Sequence, residues 1–266
     1  MRKIIFQGLV VVLLFFATWL LLSQVNWVRV LRIKQMTQTT EEKLGELLWE
    51  IFRKSDKVME DADVVQPLDS LLARICDGNG FDKDLLQLHV LKRDEVNAFA
   101  LPNRTVVIYS GLIAACDNES ELAGVIAHEL AHIQLNHVMK KLIKEVGLSV
   151  IISATTGNTG ADVMRELARV LSSSAYDRGL EREADRTALR YLEKAEIDPE
   201  GLATFLFKLS QEEPSVMKNL AWISTHPDTE ERARNLMQKI DEMDLEPRPV
   251  LKPETWERLQ AALSER

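Results

Sequence analysis

The stretch His128-Glu129-Leu130-Ala131-His132 decides the fold, because it matches the pattern HExxH. Residues four apart are separated by about 40° around a helix axis, so the two imidazoles point the same way. They can therefore share one metal ion. Glu129 lies beside them and is placed to act as a general base towards a water on the metal. The motif predicts most of a zinc site for hydrolysis.

A second helix, predicted from Asp177 to Leu192, carries the candidate third ligand. Hydrolytic zinc sites need three protein ligands and one open position for water, and Glu181 can supply the third ligand. Asp185 lies four residues later on the same face, where it can accept a hydrogen bond from a ligand imidazole. Glu183 is about 200° from Glu181 around the axis, so we expect it to face elsewhere. The alternative is that these carboxylates belong to a solvated, charged helix face.

The HExxH helix is predicted to run from Glu121 to His137, because this stretch lacks proline and repeats apolar residues at helical spacing. The metzincin pattern is excluded, since it requires a glycine and a histidine where this chain has Leu135 and Val138. His137 lies five residues past His132, about 140° around the same helix. We therefore expect His137 to serve structure or an outer surface rather than the metal.

Further motifs follow the same order as in a known family. They are Asn97-Ala98-Phe99-Ala100-Leu101-Pro102, Tyr109-Ser110-Gly111-Leu112, and Ser224-Thr225-His226-Pro227 followed by Arg232. With HExxH and the Glu181 to Asp185 pair, they resemble metallopeptidase family 48, which contains the CAAX prenyl endopeptidases, HtpX and BepA. The resemblance covers residues 60 to 240 and is greatest to the branch with a single anchor and a soluble domain.

The resemblance implies a gluzincin fold, one Zn²⁺ per chain and endopeptidase activity on polypeptide substrates. An extended substrate would then add a strand to the sheet edge formed by Asn97, Ala98, Phe99 and Ala100. Because backbone pairing reads shape more than sequence, unfolded or mis-assembled segments are the expected substrates, which indicates protein quality control. His226 would either donate to the oxyanion or occupy the fourth zinc position in a resting state. A structural histidine beside Pro227 is the alternative.

The N-terminus predicts a membrane anchor. Ile4 to Leu22 is a run of 19 residues interrupted only by Gln7, Gly8 and Thr18. That length can span a bilayer as a transmembrane helix, whereas a signal-peptide core has about 7–15 apolar residues. We therefore divide the chain into an anchor with its flank, residues 1–35, and a protease domain, residues 36–266.

The short cationic tail before the span is expected to remain in the cytoplasm. This orientation predicts a protein of the bacterial inner membrane whose protease domain is periplasmic. The net charge of −8 excludes nucleic acid as an expected partner. Cys76 and Cys116 can form one disulfide or remain two separate thiols, and the sequence leaves both possibilities open.

The remaining pattern predicts an α+β, mainly α-helical domain with a small antiparallel sheet. Leu86 to Lys92, Val96 to Leu101 and Thr105 to Tyr109 are the predicted strands. Val146 to Ala154 is apolar but too short to span a bilayer, and it can form a mobile helical flap over the cleft. A second class of function is a membrane-tethered chaperone or scaffold with a latent or structural zinc site. The general base Glu129 argues against that class, because a structural site needs no base.

Overall fold

The fold is taken from a computed structural model, which describes Gln7, Val12 and residues 33–157, 160–211 and 220–264. The chain divides into two compact units, Met1–Glu41 and Glu42–Arg266. The predicted span from Ile4 to Leu22 lies outside the described residues, apart from Gln7 and Val12. Within the described ranges, no helix has both the length and the apolar character needed to cross a bilayer.

The described part of the chain is mainly helical, with one small sheet. The first described elements are α1 (Ile33–Ser55), α2 (Ala62–Asn79), a short 3-10 turn (Lys83–Leu85), and the strands β1 (Gln87–Leu91), β2 (Ala98–Leu101) and β3 (Thr105–Tyr109). It continues through α3 (Ser110–Ala115), α4 (Glu119–Gln134), α5 (His137–Val146), α6 (Leu148–Thr155), α7 (Ala161–Ser173) and α8 (Arg178–Lys194). The last helices are α9 (Glu200–Ser210), α10 (Ala221–Thr225), α11 (Thr229–Ile240) and α12 (Pro253–Ser264). The mainly helical class with a small sheet is therefore confirmed.

The sheet is mixed, so the prediction of an antiparallel sheet was wrong. Its strand order is β1-β3-β2, with β2 antiparallel to β3 and β1 parallel to β3. The tight turn after Leu101 fixes β2 against one edge of β3, and β1 takes the other edge in the same direction as β3. All five residues of β3 are buried, which agrees with its central place between two hydrophobic clusters.

Helix α4 carries the HExxH motif through the middle of the fold. Its first turn is capped by the Asn118 side chain, which accepts a hydrogen bond from the Glu121 N–H at 3.0 Å. The helix packs against α8, α9 and β2. Gly124 and Gly201 allow the close approach to α9, because a Cβ at Gly124 would lie 2.9 Å from the Leu202 backbone. The motif is thus held on a rigid, buried helix.

Helix α4 ends earlier than predicted. It terminates at Gln134, and Asn136 adopts a left-handed conformation with a φ of 56° before α5 begins at His137. Asparagine tolerates this conformation better than most other residues that carry a side chain. Asn136 is therefore a sequence signal for the end of the helix. His137 therefore starts a new helix instead of continuing the old one.

The predicted flap, Val146 to Ala154, covers the last residue of α5 and most of α6, and α7 follows it. Helix α7 packs against α5, α6 and β2. The mobility of this region stays a prediction. Elsewhere in the domain, Cys76 and Cys116 are both buried free thiols, so no disulfide joins them.

Candidate active site

Four potential metal ligands meet in the interior of the domain. His128 and His132 come from α4, Glu181 from α8, and His226 from the residue that follows α10. All four side chains are buried, and one ligand atom from each lies within 4.8 Å of the others. The structure therefore brings together the three predicted ligands and the predicted fourth group.

The separations of these atoms suit a tetrahedral ion. The Nε2 atoms of His128 and His132 are 3.0 Å apart, and His226 Nδ1 lies 3.3 Å from His128 Nε2. Glu181 Oε1 lies 3.3 Å from His132 Nε2 and 3.1 Å from His226 Nδ1. In a tetrahedral zinc site with bonds of about 2.0–2.1 Å, neighbouring ligand atoms lie roughly 3.3 Å apart. The donor set of three imidazoles and one carboxylate is also one that zinc accepts.

Glu129 lies directly beside this cluster. Its Oε1 is 3.4 Å from the indole Nε1 of Trp222, and also 3.4 Å from His226 Nε2. Its second oxygen is buried without a hydrogen-bond partner among the described residues. Complete burial raises the pKa of Glu129 to about 7. A buried carboxylate with a pKa near neutrality is suited to general-base work.

Backbone hydrogen bonds and ring stacking hold His226 and the residues before it in place. Its N–H donates to the Trp222 carbonyl at 2.8 Å, and the Trp222 N–H donates to Val96 at 3.0 Å. The N–H of Tyr176 reaches Thr225 at 2.9 Å. The Trp222 ring stacks on the His226 imidazole with centroids 4.6 Å apart. The residue is therefore packed, although it lies outside both helices that carry the other donors.

Asp185 occupies the predicted outer position, and Arg232 holds it there. Asp185 Oδ1 lies 3.1 Å from His128 Nδ1. Arg232 donates to both oxygens of Asp185 at 2.8 and 2.7 Å, and its Nη1 lies 2.5 Å from Glu181 Oε2. Burial alone would raise the pKa of Asp185, but Arg232 outweighs it and lowers the pKa to about 2.

No separate role was predicted for Arg232, although it was part of the family resemblance. Its guanidinium is buried, whereas Arg234 on the same helix is exposed. Two arginines in the first half of the same helical pattern give no sequence signal that separates a buried environment from an exposed one. Trp222 was missed for a related reason, since an aromatic residue four positions before His226 reads as ordinary core.

His137 and Glu183 extend the cluster outward. His137 Nδ1 lies 3.1 Å from His132 Nδ1, and His137 Nε2 lies 3.3 Å from Glu183 Oε2. Glu183 is away from the ligand cluster, as expected, and about half of its side chain is exposed. His137 is buried, so it does not lie on an outer surface, and it is not one of the four grouped ligands. That it serves structure rather than the metal stays a prediction.

The predicted substrate strand is an edge strand of the sheet, but it is covered. Residues Asn97, Ala98, Phe99 and Ala100 are all buried. The Asn97 side chain donates to the Ser172 carbonyl of α7 at 3.0 Å. Both α4 and α7 pack against β2, so the residues expected to bind a substrate are not exposed in this structure.

Arg232→Met should lower the free energy of unfolding of the zinc-free protein by about 3–5 kcal/mol, because it leaves buried carboxylates without their partner. Arg234→Met is the matched control on the same helix. Its exposed pair with Glu230 is 2.9 Å long and is expected to contribute about 0–1 kcal/mol. Urea unfolding with a chelator present measures both effects, and equal losses in the two variants would contradict this role of Arg232.

Comparison with known proteins identifies the family. A model of peptidase family M48 matches residues 64–240. Similar proteins include a beta-barrel assembly-enhancing protease of Yersinia pestis, which is 26% identical, with 78% of this chain and 45% of that protein covered. The mitochondrial metalloendopeptidase OMA1 of Schizosaccharomyces pombe is 29% identical, with coverage of 72% and 58%. The metalloprotease LoiP of Escherichia coli K12 is 30% identical, with coverage of 61% and 66%.

The chain spans about half the length of the first of these curated relatives. The family match is not confined to one motif, since it runs from α2 to the end of α11 and includes every residue of the buried cluster. This chain therefore belongs to peptidase family M48, a family of metallopeptidases.

Proposed function

We propose that this protein is a zinc-dependent endopeptidase that cleaves unfolded or mis-assembled proteins of a bacterial cell envelope. The observation that carries the proposal is the gathering of His128, His132 and Glu181 beside the buried carboxylate of Glu129. Membership of a metallopeptidase family supports the same chemistry.

The proposed roles follow from the positions of the side chains. His128, His132 and Glu181 hold the zinc ion, and Asp185 orients His128 from outside. When bound, zinc lowers the pKa of a coordinated water and polarises the scissile carbonyl. Glu129 takes the proton from the attacking water and passes it to the leaving amine.

The substrate class is proposed from the sheet. Strand β2 lies at the sheet edge, where an extended polypeptide could add a further strand through backbone hydrogen bonds. A role in envelope quality control is suggested by the relative named a beta-barrel assembly-enhancing protease. The proposal includes an anchor formed by residues 4–22 in the inner membrane and a protease domain on the periplasmic side.

His226 is proposed to close the site in a resting state. Its Nδ1 lies 3.3 Å from His128 Nε2 and 3.1 Å from Glu181 Oε1, the separation expected between two ligands of one zinc ion. We therefore place it in the position that an open catalytic site leaves for water. An oxyanion role would instead need a donor directed at the substrate oxygen. The ligand-like separations favour the resting-state cap, so His226 must move before a substrate can bind.

The second candidate is a chaperone or scaffold whose zinc site is latent or structural. The same four-donor arrangement favours it, because structural zinc sites are closed by four protein ligands. Glu129 argues against it, since a buried carboxylate with no ligand role would be an unnecessary cost in a structural site.

The first test is cleavage of an unfolded protein such as casein by the full chain in detergent, with and without a chelator. We expect about one zinc per chain and cleavage that the chelator abolishes. Glu129→Gln should keep its zinc yet lose at least about 100-fold in activity, the scale of a lost general base. Glu181→Ala should weaken zinc binding instead.

The exposed Glu193→Gln on α8 is the control and should match the wild type in both measurements. Zinc binding without cleavage in the wild type would favour the chaperone or scaffold. Equal loss of zinc from Glu129→Gln and Glu181→Ala would mean that their roles are misassigned.

A second test separates the two roles of His226. If it closes the site, His226→Ala should keep zinc and cut casein at least as fast as the wild type. If it stabilises the oxyanion, kcat should fall by roughly 100-fold with little effect on zinc. His89→Ala, a change in a histidine that stacks on Trp49 outside the cluster, is the control. A His226→Ala enzyme with unchanged zinc content and rate would rule out both roles.

A further inference from the structure

Because helix α4 ends before His137, this residue can contact His132. In a continuous helix His137 would lie about 140° from His132, too far around the axis for contact. The left-handed Asn136 instead ends the helix and turns the chain, so that the His137 ring lies against His132 with centroids 5.1 Å apart. This contact joins the two Nδ1 atoms at 3.1 Å.

The contact reaches the one ring nitrogen of His132 that is not directed at the ligand cluster. His132 Nε2 faces Glu181 and His128, so a metal there uses the Nε2 lone pair and the ring proton must be on Nδ1. That proton can be donated only to an acceptor, and His137 Nδ1 is within hydrogen-bond distance. His137 must then carry its own proton on Nε2.

Glu183 selects that form of His137. Its Oε2 lies 3.3 Å from His137 Nε2, and a carboxylate accepts hydrogen bonds but does not donate them when ionised. The other tautomer would direct two N–H groups at each other across 3.1 Å between His132 and His137. The Glu183 carboxylate therefore keeps the proton of His137 on Nε2, and His137 in turn keeps the proton of His132 on Nδ1.

We propose that His137 and Glu183 are positioning residues that form a carboxylate–imidazole–imidazole relay and thereby strengthen zinc binding by His132. The inference rests on the proposed zinc ligation. In this arrangement the two histidines of HExxH have different partners at the ring nitrogen that faces away from the zinc. His128 faces a buried carboxylate directly, whereas His132 reaches a half-exposed one through a second imidazole.

The experiment measures the zinc affinity of the full chain by competition with a chromophoric chelator. His137→Phe keeps a ring in the buried position but removes the acceptor, and should weaken zinc binding by about 10–100-fold, the effect usual for lost outer-shell partners. His137→Gln keeps one acceptor and one donor, and should recover much of this loss. Glu183→Gln, at a half-exposed site, should weaken binding by several-fold without changing the Tm of the zinc-free protein.

The exposed Glu193→Gln on the same helix is the matched control and should leave zinc affinity unchanged. Nitrogen NMR of the zinc-loaded protein should find the His132 proton on Nδ1 in the wild type. Unchanged affinity in both His137→Phe and Glu183→Gln would overturn the relay while leaving the proposed zinc site intact. If His137→Phe does not fold, unchanged affinity in Glu183→Gln overturns it alone. Failure of the wild type to bind zinc would overturn the proposed function and the relay together.

Discussion

The site depends on the ion pairs that the buried guanidinium of Arg232 makes with two carboxylates. The guanidinium pairs with both oxygens of Asp185 and with Glu181, and its Nη1 also lies 3.3 Å from the His226 carbonyl oxygen. One side chain of α11 thus connects the carboxylates of α8 to the segment that carries His226. Burial raises the pKa of Glu181, but interactions with His226 and Arg232, together with contacts to the two HExxH imidazoles, outweigh it and hold the pKa well below its usual value. Glu181 is therefore kept ionised, which is the state that a metal ligand requires.

Two features of the structure restrict access to the site. We propose that His226, whose Nδ1 lies 3.3 Å from His128 Nε2, closes the site at rest. Beside β2, the Asn97 side chain donates a hydrogen bond to the Ser172 carbonyl of α7. Neither feature lies on α4 or α8. In the proposed mechanism both would have to move before a substrate binds, while α4 and α8 continue to carry His128, His132 and Glu181.

The sequence predicted the parts of the site that depend on local helical geometry. HExxH and the Glu181 to Asp185 pair each place two side chains on one helix face, and that relation needs no knowledge of the rest of the fold. The sequence did not predict the part that depends on where the chain turns. The contact of His137 with His132 follows from the left-handed Asn136, and the parallel pairing of β1 with β3 follows from which edge of β3 was still free. Arg232 was part of the family resemblance, but its pairing with Asp185 and Glu181 was not predicted, because its burial comes from packing between separate helices.

The most direct test of the central claim is X-ray absorption at the zinc edge on the zinc-loaded full chain. We predict a four-coordinate first shell at about 2.0–2.1 Å, with the outer scattering of three imidazoles and with one carboxylate oxygen. That result would place His226 on the ion together with His128, His132 and Glu181. A shell with fewer than two imidazoles, with sulfur at about 2.3 Å, or with six oxygens would contradict the proposed metal centre.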